Sequence, residues 1–229
     1  MSVQPARLWA VVPAAGAGQR FGSDLPKQYQ PIGGIPVIRW SLAPLLDRPD
    51  VRGVVVALAA DDAHGPRLIP EDPRVETTTG GSTRAASVVR ALAALAGRAA
   101  ADDWVIVHDA ARPCLSGADL TRLIDRLADE SVGGLLATPV SDTLKREADG
   151  VVSETVDRQG LWRALTPQMF RYSLLRDALA AADGEVTDES SAIERAGLRP
   201  VLVKGRGDNI KVTTRDDLEQ AAAILAGRR

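Results

Sequence analysis

The chain has 229 residues, enough for one sizeable α/β domain and cramped for two. Hydrophobic residues make up 45% and charged residues 25%, and the 28 basic and 30 acidic side chains nearly cancel, which argues against general affinity for nucleic acid or an anionic membrane. The lone cysteine, Cys114, excludes an intrachain disulfide and a cysteine zinc site, and with only two histidines a histidine metal site is disfavoured. No apolar run reaches membrane-spanning length and the N-terminal stretch lacks a signal-peptide core, so the expected location is cytoplasmic.

Taken in chain order, Leu8–Val12 is a short apolar run of the kind found in strands buried on both faces. Pro13 ends it, and Ala14, Ala15, Gly16, Ala17 and Gly18 follow as a loop of small residues. Such a loop lets consecutive backbone N–H groups close around an anion, and Arg20 and Lys27 add two cations downstream. Together they predict a polyphosphate cradle. It is not a P-loop, because Lys27 is followed by Gln28 and no hydroxyl residue. Nor is it a dinucleotide fingerprint, because Phe21 stands where the third glycine is required.

Gln30–Ile35 reads as a loop or edge piece, and Pro36 opens a helix running to about Leu46. Val51–Leu58 is a second strand, with Asp61 or Asp62 available to cap a helix after it, and Arg74–Thr77 a weak third. Gly80 and Gly81 end a loop, Ser82 caps, and a helix follows with Arg84 and Ser87 in its first turns. Trp104–Val107 is a fourth strand, Asp119–Leu127 a helix and Gly133–Val140 a fifth strand. Strands alternating with helices predict a Rossmann-like fold: a mostly parallel, twisted sheet with helices on both faces.

The alternation then breaks. Asp149-Gly150, between Thr143–Arg146 and Val151–Thr155, is a strong hairpin signal, so 141–157 is read as an inserted β-hairpin in a single domain. It is polar and has no evident core, which leaves a surface excursion or an arm packing on another subunit. Helices near Ser173–Ala182 and within TDESSAIERAG follow, then a strand at Pro200–Val203. A short strand holding Lys211 and a helix opened by Thr214 close the chain.

Ligands of open α/β sheets sit outside the carboxyl ends of the strands, so the loops after Val12 and Val107 should share one edge. Asp109 lies there, where a carboxylate can hold magnesium against phosphate oxygens or bond a ribose hydroxyl. His108 reads as a structural neighbour. The N-terminus of the helix carrying Gly81, Arg84 and Ser87 either binds an anion or is an ordinary cap. Arg158 and Lys211 are, on sequence alone, as consistent with solvated surface charges as with ligands.

The ordered set of motifs resembles one family. It comprises Pro13-Ala14-Ala15-Gly16-x-Gly18-x-Arg20, Pro26-Lys27-Gln28, Gly80-Gly81-x-x-Arg84-x-x-Ser87 and His108-Asp109-Ala110-Ala111-Arg112-Pro113. Asp142-Thr143-x-Lys145, Thr155-Val156-Asp157-Arg158-x-Gly160-Leu161-Trp162, Leu165-Thr166-Pro167-Gln168, Thr187-Asp188-Glu189 and Asp208-Asn209-Ile210-Lys211-Val212-Thr213 complete it. These are similar to the 2-C-methyl-D-erythritol 4-phosphate cytidylyltransferases, with Ser190 standing where the pattern has alanine. The resemblance implies CTP and a sugar-alcohol phosphate as substrates, Mg2+ as cofactor, and a homodimer whose hairpin arms reach each other's sites. It implies Arg20 and Lys27 as the catalytic cations, and Ala14, Ala15, Gly16, Gly18, Gly81, Arg84, Ser87, Asp109 and Ala110 around the nucleotide. Thr143, Arg158, Thr166 and Lys211 would position the sugar phosphate, His108 and Arg112 would support the site, and Asp109 would hold the metal, the ribose or both. A ribitol 5-phosphate cytidylyltransferase, which shares the CTP motifs, and a non-catalytic nucleotide-binding regulator are the alternatives.

Overall fold

The structure, a computed structural model, describes residues 7–16, 21–22, 25–182 and 186–228. Gly18 and Arg20 lie outside the described residues.

Seven strands form one sheet: β1 (Leu8–Pro13), β4 (Val51–Leu58), β5 (Val75–Thr79), β6 (Trp104–Val107), β7 (Gly133–Pro139), β10 (Trp162–Arg171) and β11 (Val201–Lys204). Their spatial order is β11-β7-β10-β6-β1-β4-β5. Every pairing is parallel except the two made by β10, which runs antiparallel to both β6 and β7. The mostly parallel sheet is therefore as expected. β10 is the addition: sequence reading placed site residues in that stretch but no strand.

Both faces of the sheet are covered because side chains alternate along each strand. Ala10, Val12, Val54, Val56 and Ile106 face one core, closed by Ile38, Leu42 and Leu45 of α1 (Val37–Leu46) and Leu120, Leu123 and Leu127 of α4 (Gly117–Leu127). Trp9, Val11, Val55, Ala57, Val105 and Val107 face the other, closed by α3 (Arg84–Ala94), α5 (Tyr172–Ala181) and α6 (Glu189–Arg195). A third cluster seats α7 (Arg215–Ala226) against β2 (Pro31–Ile32), which pairs with β3 (Ile35–Pro36) in a two-stranded ribbon, with Cys114 inside the cluster.

Local rules account for most boundaries. Thr214 caps α7 in a reciprocal box with Asp217, as its position before the acidic turn predicts. Thr83, one residue beyond the expected Ser82, caps α3 by accepting the Ala86 N–H. Asp62 accepts the N–H groups of His64 and Gly65 ahead of a single-turn helix, α2 (Gly65–Leu68). The segment around Lys211 is not a strand; it is irregular and is pinned where the Val212 N–H donates to the Ala111 carbonyl.

The expected hairpin is present as β8 (Leu144–Ala148) and β9 (Val151–Val156), turning at Asp149 and Gly150 with φ of +52° and +79°. Positive φ at both central residues matches the right-handed twist of the strands. Among the described residues β8 and β9 pair only with each other. Val151 and Val152 are 66% and 62% exposed, so the hairpin projects apolar side chains that the rest of the described chain leaves largely uncovered.

Candidate active site

β1 is the point where the sheet's connectivity reverses: β4 pairs on one side of it and β6 on the other. The loops leaving β1 and β6 open between them a crevice at the strands' carboxyl ends, the usual ligand position in such sheets. A pocket of about 170 Å³ occupies it. Ala14, Ala15 and Gly16 line it from β1, Lys27 and Gln28 from the next turn, Gly81 to Arg84 and Ser87 from α3, and Asp109 to Ala111 from β6. Lys211 completes the wall from the far end of the chain.

Small residues bring these walls together. A Cβ on Gly80 would stand 2.6 Å from the Ala15 Cβ and 2.9 Å from Ser87 Oγ, so only glycine lets the α3 entry lie against the β1 loop. Ser87 Oγ accepts the Gly81 N–H at 3.1 Å and donates to the Thr83 carbonyl at 2.9 Å, which fixes the turn. Gln28 is buried and its Nε2 donates to the carbonyls of Ala14 (2.9 Å) and Gly16 (3.3 Å). The Ala14 N–H donates to the Ala57 carbonyl at 2.8 Å, so among the described loop residues Ala15 and Gly16 carry the N–H groups that can face an anion.

Asp109 is the pocket's carboxylate among the described lining residues. Its Oδ1 accepts from Arg84 Nε at 2.8 Å; its Oδ2 lies 2.9 Å from Lys211 Nζ and 3.5 Å from Arg112 Nε. Burial alone would raise its pKa. The charges of Arg84, Lys211 and Arg112 outweigh that and hold the carboxyl well below the usual carboxylate range. The group is ionised at any working pH.

Behind Asp109 runs a chain of buried polar contacts. The Asp109 N–H donates to Thr166 Oγ1 at 3.1 Å, and His108 Nδ1 lies 3.0 Å from the same hydroxyl. His108 Nε2 faces the Arg112 carbonyl at 3.2 Å. A carbonyl only accepts, so the imidazole proton sits on Nε2 and the Thr166 hydroxyl donates to Nδ1. Burial pushes His108 down to about 4, against the pull of the Asp109 charge, so the ring is neutral. Asn209 Nδ2 donates to the Thr166 carbonyl at 2.8 Å and Arg112 Nη1 to the Asn209 carbonyl at 2.7 Å, tying the Lys211 segment to the same frame.

Arg84 is held from the other side. Its Nη1 and Nη2 donate to the two oxygens of Glu189 at 2.7 and 2.9 Å. Glu189 is buried at the start of α6, whose N-terminus Gln168 fixes by donating to Asp188 and accepting the Ser190 N–H. The Ser190 hydroxyl donates to the Asp188 carboxylate, so serine fits there.

Thus Ala14, Ala15, Gly16, Lys27, Gly81, Arg84, Ser87, Asp109, Ala110 and Lys211 meet in one pocket. Thr166, expected to position the sugar phosphate, is buried with its hydroxyl committed to Asp109 and His108, and reaches the pocket through Asp109. Thr143 and Arg158 are exposed and do not line this pocket; Arg158 donates to the Ser141 carbonyl at the base of the hairpin. Gln28, Gln168, Glu189 and Asn209 carry roles that sequence reading did not assign. The signal available was a polar residue inside an otherwise apolar or capping stretch, which is informative when buried.

The model of the IspD family, 2-C-methyl-D-erythritol 4-phosphate cytidylyltransferase, matches residues 8–227. A protein of Pseudomonas putida (strain W619) with that name is 54% identical over 227 residues, covering 96% of this chain and 97% of its own. Among solved structures, a 4-diphosphocytidyl-2C-methyl-D-erythritol synthase superposes with a TM-score of 0.86 at 40% identity, covering 96% of this chain and 99% of its own. The 2-C-methyl-D-erythritol 4-phosphate cytidylyltransferase of Francisella tularensis gives 0.82 at 34% identity, covering 96% and 100%. The chain belongs to the 2-C-methyl-D-erythritol 4-phosphate cytidylyltransferase family.

Proposed function

We propose that this chain joins CTP and 2-C-methyl-D-erythritol 4-phosphate, giving 4-diphosphocytidyl-2-C-methyl-D-erythritol and pyrophosphate, a step of non-mevalonate isoprenoid synthesis. The observation that carries the reading is the anion-facing pocket between β1 and β6, with Lys27, Lys211 and Asp109 on its walls, in a chain of this family. The substrate phosphate oxygen attacks the α-phosphorus of CTP, and the bond to the β,γ-pyrophosphate breaks. No protein nucleophile is required, and the thiol in this chain is unsuited to be one: Cys114 is buried, and burial pushes it up to about 11. What the protein must supply is alignment and positive charge. Lys27, with Arg20, neutralises the charge that develops on the α-phosphate and the departing pyrophosphate. Gly16, Gly81 and Ser87 shape the nucleotide's resting place, and Lys211 meets the second phosphate.

Magnesium belongs to this proposal. Among the described residues no group of three or more histidine, cysteine or carboxylate side chains could hold a metal, so a metal here would depend on the triphosphate and water for its remaining ligands. Asp109, an ionised hard-oxygen donor, fits as the protein ligand. Of its three cationic partners, Lys211 is 39% exposed against 23% for Arg84 and 12% for Arg112, and is the one able to give way. Bound there, magnesium would neutralise and orient the phosphates.

The proposal also includes a homodimer in which each β8–β9 arm packs on the partner, carrying Thr143 and Arg158 to the partner's sugar-phosphate site. The uncovered valines of the arm support it. A cytoplasmic location accords with two charged metabolites as substrates; no helix among the described residues is long and apolar enough to cross a membrane. The test is pyrophosphate release with CTP and a panel of sugar-alcohol phosphates, with the product identified by mass. Preferential use of methylerythritol phosphate is expected, and preferential use of ribitol 5-phosphate would replace this reading.

A further inference from the structure

We infer that Glu189 is a positioning residue of the nucleotide pocket, acting through Arg84 on Asp109; the inference rests on the cytidylyltransferase reading. Glu189 does not line the pocket and is 1% exposed. Its two oxygens take the end-on face of the Arg84 fork, one N–H from each Nη at 2.7 and 2.9 Å, while Nε reaches Asp109 Oδ1 at 2.8 Å. An arginine fork is the best bidentate partner for phosphate that a protein has. Arg84 stands on the wall of a pocket read as holding a triphosphate, yet its fork is turned away from it. Glu189 is what turns it.

A purely structural role for Glu189 is poorly supported by its surroundings. α6 is already capped by Asp188 in a reciprocal box with Ser191, and its first turn is pinned by Gln168. A buried ion pair is itself weak evidence of stabilisation, since apolar replacements of similar volume often do as well. What an apolar pair could not do is hold a guanidinium edge-on against the Asp109 carboxylate. With Glu189 in place, Asp109 keeps a fixed partner on Oδ1 while Oδ2 stays on the side of Lys211.

The experiment compares Glu189→Gln, Arg84→Met and their combination, in turnover and in CTP binding by calorimetry. Glu189→Gln keeps the shape and removes the charge. It should lower kcat by roughly 10- to 100-fold, the range for partners behind ligand-holding residues, while CTP affinity does not fall, because the freed fork can take a phosphate. A loosened fold would weaken both. If Glu189 acts through Arg84, the combined variant should turn over no more slowly than Arg84→Met alone. Wild-type kcat in Glu189→Gln, or losses that multiply in the combined variant, would overturn the inference. Should Glu189→Gln fail to fold, an Arg84→Met/Glu189→Met chain, with neither charge left to bury, decides: a kcat matching Arg84→Met supports the inference and a near-wild-type kcat overturns it. A wild-type chain that releases no pyrophosphate with any sugar-alcohol phosphate overturns the functional reading and this inference together. Losses that multiply in an active enzyme overturn the inference alone.

Discussion

Replacing Thr166 by valine removes one hydroxyl at nearly constant shape, and its consequences can be worked from two contacts. The hydroxyl accepts the Asp109 N–H at 3.1 Å and donates to His108 Nδ1 at 3.0 Å. Thr166, His108 and Asp109 are all buried, so water cannot take over either bond. A buried polar group left without its partner costs about 1–3 kcal/mol, so two of them cost about 2–6 kcal/mol. For a chain of this length each kcal/mol moves Tm by about 2–4 °C, which puts the expected drop on the order of 10 °C. Turnover should fall as well, because the Asp109 backbone loses its anchor to β10. Denaturant unfolding gives the stability change, and pyrophosphate release per folded molecule gives the catalytic one. Thr166→Ser keeps the hydroxyl and should recover most of both. A Thr166→Val chain as stable as the wild type, or a Thr166→Ser chain as unstable as Thr166→Val, would refute the proposed bonding.

Other outcomes follow from the same geometry. His108 takes its proton near 4 when folded and near 6.5 when unfolded, so its contribution is complete above pH 6.5 and is lost as pH falls towards 4. The loss should reach about 3 kcal/mol, read as the difference in pH dependence between the wild type and His108→Gln; equal slopes from pH 6.5 to 4.5 would contradict it. Lys27→Ala and Arg20→Ala should each lower turnover by roughly 10²–10³ with saturating CTP and magnesium while leaving Tm nearly unchanged, as for a lost donor to developing charge. If the arms cross, co-expressed Lys27→Ala and Arg158→Ala subunits carrying different tags should regain activity, since two-fold symmetry puts both lesions in one site and leaves the other intact. A verified mixed dimer as inactive as its parents would show that each arm serves its own subunit.

The parts of this site that sequence made legible are those encoded locally. β1 with its small-residue loop, the His108-Asp109 turn after β6 and the Asp149-Gly150 hairpin each occupy a few consecutive residues whose backbone preferences state their conformation. β10 was not legible. Its run WRALTPQMFR has charged residues at both ends and Pro167 inside, and its pairing with β7 shifts register between Ala164 and Gln168. A strand flanked on both sides by neighbours need not alternate, so the usual period is missing. Glu189 is legible in sequence as part of the Thr187-Asp188-Glu189 motif, with no role attached to it. Its partner Arg84 lies 105 residues away, and no local pattern announces such a pair. The strand expected around Lys211 is absent, because Val212 packs against α7 and fixes an irregular segment instead.

The central claim, that the crevice between β1 and β6 is where CTP reacts, is tested most directly by a crystal structure of the chain with CTP and magnesium. The triphosphate should lie against the backbone of residues 14–16 and the Lys27 ammonium, the cytidine beside Gly81 and Ser87, and Asp109 within reach of the metal or the ribose. CTP bound elsewhere on the molecule, with this crevice filled only by solvent, would contradict it.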